Sequence, residues 1–401
     1  MPWFYLILGA LVVLLLYGDV RARTSTYMTP EKKALVKYDK WPMWKEVEPI
    51  DGRKRVLCID HDYVPFVNAG SEICTHAINK HLMKKPYKWD VWIAAPGYPQ
   101  RTYEGVRCFD LYDTDTFLKV LNSCHVVNSH SYYWRDAMAY MCRQTGIPFV
   151  SWIHTLSYVN AVKRHKKTWH DPRCGNSQWT VFNSKSLQAE WKGPLTNSKI
   201  FIPVVDYREY SIEDKAREPK YVILSNVNAN KGGELFIQMA KAMPDVEFLG
   251  VTGGYGRQVK GESVPNLRYI PHTNRIHDIY KQAWLVLMPS KDETWGRTAV
   301  EAMSSGIPMV VHPTPGLREC CGGAAIYVDR GDLEGWINAV RRLKDDKKWY
   351  NERSKLALDR ARALDPRPVL ANIEDWLEHS VVPSKQAGRP LSAAEKNLLF
   401  R

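Results

Sequence analysis

From Arg55 onward, short apolar runs alternate with stretches in which apolar positions recur every three to four residues. RVLCID (55–60), WDVWIAA (89–95), HVVNSH (125–130) and PFVSWIH (148–154) read as buried strands, and 71–83 and 135–144 as helices. Strand and helix in this rhythm specify a parallel sheet covered on both faces, so the class is α/β. After IFIPVVD (200–206) a second series begins: YVILSN, VEFLGVT, LRYI, WLVLMPS, PMVVH and AAIYV, again with helical patterns between them. The chain therefore predicts two parallel-sheet α/β domains, 54–205 and 206–365. A helical pattern, VLANIEDWLEHSVV, fills most of 366–382, and 383–401 is a polar, basic tail without a fold-level signal.

The first residues follow a different pattern. Positions 3–18, WFYLILGALVVLLLYG, are apolar and uncharged. As a helix the run reaches about 24 Å, slightly short of a bilayer core of about 30 Å. A cleaved signal peptide is the competing reading, but no basic residue precedes the run, and Arg21 and Arg23 stand where a cleavage site needs small residues. Residues 1–18 are thus expected to anchor the protein in a membrane. The basic flank on their C-terminal side places the body on the cytoplasmic face. Residues 19–53 read as a linker along the interface, where Trp41 and Trp44 would settle.

The length of 401 residues supports two domains, and the composition is that of a folded protein. A formal charge of +13 calls for an anionic partner. No nucleic-acid-binding pattern accompanies it, and the run Lys163, Arg164, Lys166, Lys167 reads equally as a solvated loop. The eight cysteines form no C-x-x-C pair, which argues against a zinc site and against a disulfide framework. No metal site is expected.

Candidate chemistry concentrates in DETWGRTAVEAMSSGIPMVVHPTPGLRE (292–319), read as loop, short helix and strand. Glu293 precedes the helix and Glu301 lies within it. Both carboxylates can face one cleft near the helix amides, and a carboxylate is a strong acceptor for vicinal hydroxyls. Two solvated glutamates at chance spacing remain the plainer alternative. In SNVNANKGGELF (225–236), Lys231 and two glycines stand at a helix start, a suitable seat for a diphosphate. Gly253 and Gly254 follow a strand, and Gly70 sits at the strand-to-helix turn of PFVNAGSE (65–72). His154 closes a strand, a position where a lone histidine is more often structural.

Taken in order, Glu293, Trp295, Gly296, Arg297, Glu301, Ala302, Met303, Gly306, Pro308, Val310, Gly316 and Glu319 resemble the signature of the family 4 retaining glycosyltransferases of GT-B fold. The resemblance covers about 55–380. It implies two Rossmann-like domains facing across a cleft, with a C-terminal helix over 366–382 that returns to the first. It implies that Glu293 and the amides after it face the donor sugar and that Glu301 holds the ribose. Lys231 then seats the diphosphate, His154 contacts the sugar, Gly70, Gly253, Gly254 and Gly296 lie beside the donor, and Ile270 to His272 read the base. Asn226 stands where the family's pattern has an arginine, a loss that Arg297, Arg275 or Arg257 could offset. His130, Tyr132, Tyr133 and Trp134 lie on a loop of the domain that usually binds acceptor.

The expected function is a membrane-associated, retaining glycosyltransferase of hexosyl type. Its donor is a UDP- or GDP-sugar, with no further cofactor, and its acceptor a glycan, lipid or protein. A UDP-sugar 2-epimerase of the same fold and a non-catalytic nucleotide-sugar-binding protein are the alternatives.

Overall fold

The computed structural model describes residues 41–50, 52–84, 86, 88–131, 134–164, 179–193, 195, 197–212, 218–253, 257–261, 263–273 and 275–399. The apolar run 3–18 and most of 19–53 lie outside the described residues. Among the described residues, no helix is long and apolar enough to cross a membrane. The chain divides into two compact units. The first takes the chain up to Phe182, Lys192–Phe201 and Leu370–Arg401; the second takes Asn183–Trp191 and Ile202–Val369.

The first unit runs β1 (Arg55–Ile59), α1 (Gly70–Leu82), β2 (Asp90–Ala95), β3 (Arg101–Tyr103), β4 (Val106–Asp110), α2 (Thr114–Asn122), β5 (Val126–Ser129), α3 (Arg135–Thr145), β6 (Phe149–Ile153), α4 (Leu156–Arg164), β7 (Trp179–Phe182) and β8 (Ser198–Ile200). Its sheet has the order β3-β4-β2-β1-β5-β6-β7-β8 and is parallel except for the β3–β4 pair. The chain leaves β1 toward β2 on one side and returns to β5 on the other. The carboxyl ends of β1 and β5 therefore flank a topological switch point, where doubly wound sheets open a crevice for ligand.

The second unit repeats the scheme with α5 (Lys185–Glu190), α6 (Tyr207–Tyr210), β9 (Tyr221–Leu224), a 3-10 turn over Ala229–Lys231, α7 (Gly233–Ala242), β10 (Glu247–Val251), β11 (Leu267–Ile270), α8 (Ile276–Lys281), β12 (Ala283–Met288), α9 (Arg297–Ser304), β13 (Met309–Val311), α10 (Pro315–Cys321), β14 (Ile326–Tyr327), α11 (Leu333–Asp345) and α12 (Lys347–Ala363). The sheet order is β11-β10-β9-β12-β13-β14, all parallel, so here the switch point lies between β9 and β12. Its core shows why these runs are strands. Tyr221 and Ile223 enter the cluster on one face, and Val222 and Leu224 the cluster on the other. In β12 the register shifts between Ala283 and Leu285, which turns Leu285 to the opposite face from Ala283.

The C-terminal segment, with α13 (Pro366–Trp376) and α14 (Ala393–Leu399), ends in the first unit. Residues 383–399, the described part of the tail that carried no signal in the sequence, are built onto that unit. Gln386 N–H donates to the Gly146 carbonyl and Arg389 N–H to that of Gln144, each at 2.9 Å. Leu391 joins the core, and buried Lys396 donates through Nζ to Leu111 O at 2.9 Å. Trp44 is likewise a core residue, not an interfacial one: it is buried against Trp92, and its Nε1 donates to Cys108 O at 2.9 Å.

Candidate functional site

In the second unit, the loop after β9 and the loop after β12 meet at the switch point. The first carries Lys231 at the end of the 3-10 turn, where Asn228 Oδ1 accepts from the Lys231 amide at 2.9 Å. Gly232 then adopts φ +94°, which lets the chain enter α7 at once; a Cβ there would run into Pro289, the residue that follows β12. Lys291 N–H reaches back to Asn230 O at 2.7 Å. Between these backbone contacts, Lys231 Nζ and the Glu293 carboxylate form an ion pair with both side chains mostly covered. Arg330 braces the same turn from outside, donating to Asn230 O at 2.9 Å and Ala229 O at 2.5 Å.

Glu293 is placed by what surrounds it. Gly316, in α10, lies against the backbone of Glu293 and Thr294 so closely that a Cβ would collide with both carbonyls. Thr294 Oγ1 accepts from Asn183 Nδ2 at 3.0 Å, and Trp295 is buried in the core. Gly296 has φ +112°, turning the chain into α9 against Leu317. Glu319, the last acidic residue of the stretch, spans the Lys185 and Ser186 amides at 2.9 Å each and caps α5.

Glu301 is only 8% exposed, and its two oxygens are already engaged. Oε1 lies 2.8 Å from Arg297 Nε, and Oε2 accepts from the Tyr280 hydroxyl at 3.0 Å. Arg297 also donates to Val204 O at 2.9 Å and to the Tyr210 hydroxyl at 2.7 Å. The guanidinium is thus engaged by partners inside the unit. Asn226 itself lies over Gly253, filling the space a Cβ would need, and its Oδ1 accepts from the Asn228 amide at 3.2 Å. The Gly253 amide donates to Gln258 Oε1 at 2.8 Å. Ile270 O accepts from the Thr252 amide at 3.0 Å, and His272 is exposed just beyond β11. Gly254, like Tyr132 and Tyr133, lies outside the described residues.

The remaining candidates belong to the first unit. Gly70 opens α1 and is exposed, with Ala69 giving the helix no side-chain cap. His154 Nε2 lies 3.0 Å from His130 Nδ1, which in turn lies 3.0 Å from Thr75 Oγ1, and both rings stack with Trp152. Burial lowers both imidazoles, His154 to about 4, so the pair is neutral at pH 7. Tyr280, Arg330, Asp60 and Asp62 were not singled out in the sequence, and of these only Asp60 and Asp62 had a readable signal, two carboxylates just after a buried strand.

Two doubly wound parallel-sheet units, the second with a lysine and a glutamate on either side of its switch point, define an α/β architecture of the GT-B type. Residues 218–346, all within the second unit, match the family model described as Glycosyl transferases group 1. Among curated proteins, the D-inositol 3-phosphate glycosyltransferase of Mycobacterium sp. (strain KMS) is 26% identical over 257 residues, covering 53% of this chain and 58% of that protein. The O-antigen chain mannosyltransferase RfbU of Salmonella typhimurium is 31% identical over 71 residues, covering 18% and 20%. The chain therefore spans between a fifth and about three-fifths of these two relatives. Among solved structures, Anabaena HepE in complex with UDP and glucose superposes with a TM-score of 0.66 at 16% identity, covering 82% of this chain and all of that one. Sucrose-phosphate synthase from Thermosynechococcus elongatus gives 0.66 at 15%, covering 81% and 98%. The resemblance carried by the 292–319 stretch is thus found independently: GT-B glycosyltransferases are what this chain is similar to.

Proposed function

We propose that the protein is a retaining glycosyltransferase of hexosyl type that moves a sugar from a nucleotide-diphosphate sugar to a hydroxyl of a glycan, lipid or protein acceptor. The observation that carries this reading is the Lys231–Glu293 pair at the β9/β12 switch point, beside the start of α7. When the bond from the sugar to the diphosphate breaks, negative charge grows on the departing phosphate. A lysine and helix-start amides held in place beforehand stabilise that charge without reorganising. Glu293 keeps Lys231 positioned and is itself placed to accept from sugar hydroxyls. In this reading the leaving phosphate takes the acceptor proton, so no side chain is assigned as general base.

A UDP-sugar is the favoured donor, because HepE is described in complex with UDP and glucose. Membrane association through residues 1–18, with the body on the cytoplasmic face, completes the proposal. The experiment is donor turnover by the full-length protein with UDP- and GDP-sugars, with and without lipid and glycan acceptors. Acceptor-dependent release of nucleoside diphosphate with the anomeric configuration retained is expected. Product formed from donor alone would favour an epimerase, and binding without turnover a non-catalytic role.

A further inference from the structure

Arg330 lies just past β14, the edge strand three places from β9 in the sheet, yet its side chain ends on the turn that carries Lys231. Nη1 donates to Asn230 O at 2.9 Å and Nη2 to Ala229 O at 2.5 Å, so the planar fork of the guanidinium spans two consecutive carbonyls. Among the described residues it forms no ion pair, and its charge is directed at main-chain oxygens.

The backbone of Arg330 is fastened before the side chain reaches across. Its amide donates to His312 Nδ1 at 3.0 Å, and the His312 amide donates to the carbonyl of Met288, the last residue of β12, also at 3.0 Å. One residue earlier, Asp329 O accepts at 2.8 Å from the indole N–H of Trp336, a fully buried residue of α11. The Asp329 carboxylate turns back to the Gly331 amide at 2.8 Å. Only the side-chain rotors of Arg330 are left to order.

The turn it meets has little strength of its own. It is a single 3-10 turn over Ala229–Lys231, closed by the Gly232 amide on Ala229 O at 3.2 Å. Arg330 gives Ala229 O a second donor, and Asn230 O takes Arg330 together with the Lys291 amide at 2.7 Å. Lys231 is the last residue of that turn, so these two peptide units set the direction in which its side chain leaves. Glu293 holds the same side chain by its tip. A diphosphate that takes the ammonium group from Glu293 removes the tip contact and leaves the contact at the root.

We propose that Arg330 is a positioning residue for the donor diphosphate: it fixes the backbone on which Lys231 stands, so that the ammonium group stays aimed once a ligand has displaced Glu293. This rests on the glycosyl-transfer reading. Arg330 acts through Lys231 and touches no ligand atom.

The test is a double-mutant cycle on the full-length protein. UDP and GDP are the probes, read by calorimetry, and uridine and guanosine the controls, read by saturation-transfer NMR. Arg330→Ala should weaken the diphosphate that binds by roughly five- to tenfold and leave its nucleoside unchanged, which also shows that the unit folds. In a Lys231→Ala background the same substitution should cost less than about twofold, because the side chain it serves is gone. Arg330→Lys keeps the charge without the fork and should stay weaker than the parent. Unchanged diphosphate affinity in Arg330→Ala would overturn the proposal. So would the full loss recurring in the Lys231→Ala background, since Arg330 would then act on the ligand directly. Equal loss of the nucleoside, or parent affinity in Arg330→Lys, would overturn it as well. If the parent binds neither UDP nor GDP, the glycosyl-transfer reading itself fails.

Discussion

Lys231 and Glu293, 62 positions apart in the chain, form an ion pair across the switch point of the second unit. Each is held by its own loop, so the pair exists before any ligand arrives. An incoming diphosphate must compete with Glu293 for the ammonium group. Replacing Lys231 by Ala removes a charge-assisted bond and should weaken nucleoside diphosphate binding by about ten- to a hundredfold, leaving the bare nucleoside unaffected. Glu293→Gln releases Lys231 from its competitor, so nucleoside diphosphate should bind as well or more tightly while sugar transfer slows. Calorimetry with turnover measured alongside separates the two. Equal loss of nucleotide affinity in both variants would contradict this division of roles.

The position of Glu293 depends on a residue that bears no functional group. Gly316 lies so close to the Glu293 and Thr294 carbonyls that even a methyl group has to displace that loop. Gly316→Ala should therefore cost about 1–3 kcal/mol of stability. Transfer should fall further than the loss of folded protein explains, because the loop carries Glu293. A urea titration and a turnover assay on the same preparation give both numbers.

How much of this was legible follows from the period of the pattern. Most strands of the two sheets are runs of four to six residues, and β1, β2, β5, β6 and β9 are buried along their whole length; they stood out as apolar runs bounded by polar turns. Lys231 and Glu293 stood out because charged residues beside glycines at a strand exit have few structural uses. Their contact did not, since which strands are neighbours is decided by the whole sheet. Tyr280 was invisible for the same reason, being an ordinary aromatic in a helical pattern. The described part of the tail, 383–399, was missed because it packs largely through backbone hydrogen bonds and isolated side chains such as Leu391 and Lys396, which leave no periodic trace.

Glu301 has two possible occupations, ribose hydroxyls or the internal pair with Arg297 and Tyr280, and they differ in what a substitution does. In this structure both oxygens are taken, so Glu301→Gln leaves Arg297 without its counterion inside the unit. The variant should lose about 1–3 kcal/mol in the absence of nucleotide, read from its urea midpoint. Tyr280→Phe removes one donor to the same carboxylate and should cost less, about 1 kcal/mol. If ligand binding redirects Glu301 to the ribose, the affinity loss of Glu301→Gln should shrink for a 2′,3′-dideoxy nucleotide. Unchanged stability in Glu301→Gln would show that the internal pair contributes nothing.

The neutral histidine pair of the first unit gives a pH dependence whose sign is fixed. His154 titrates near 4 in the folded protein and near 6.5 when exposed, and His130 is lowered in the same direction, both by burial. Between these values the unfolded chain binds more protons, so stability is full above about pH 6.5 and is lost as pH falls toward 4. Glu72 acts oppositely. Its carboxyl is raised to about 7, so over its own window the folded state binds more protons, and this contribution declines as pH rises. The whole protein's profile therefore mixes the two, and a difference measurement is needed. His154→Gln keeps a polar side chain next to His130 but cannot take up a proton. Urea midpoints of parent and variant should converge as pH drops from 7 to 4.5, because the parent alone loses the His154 contribution. Parallel curves over that range would mean that His154 is protonated in the folded state as readily as in the unfolded one.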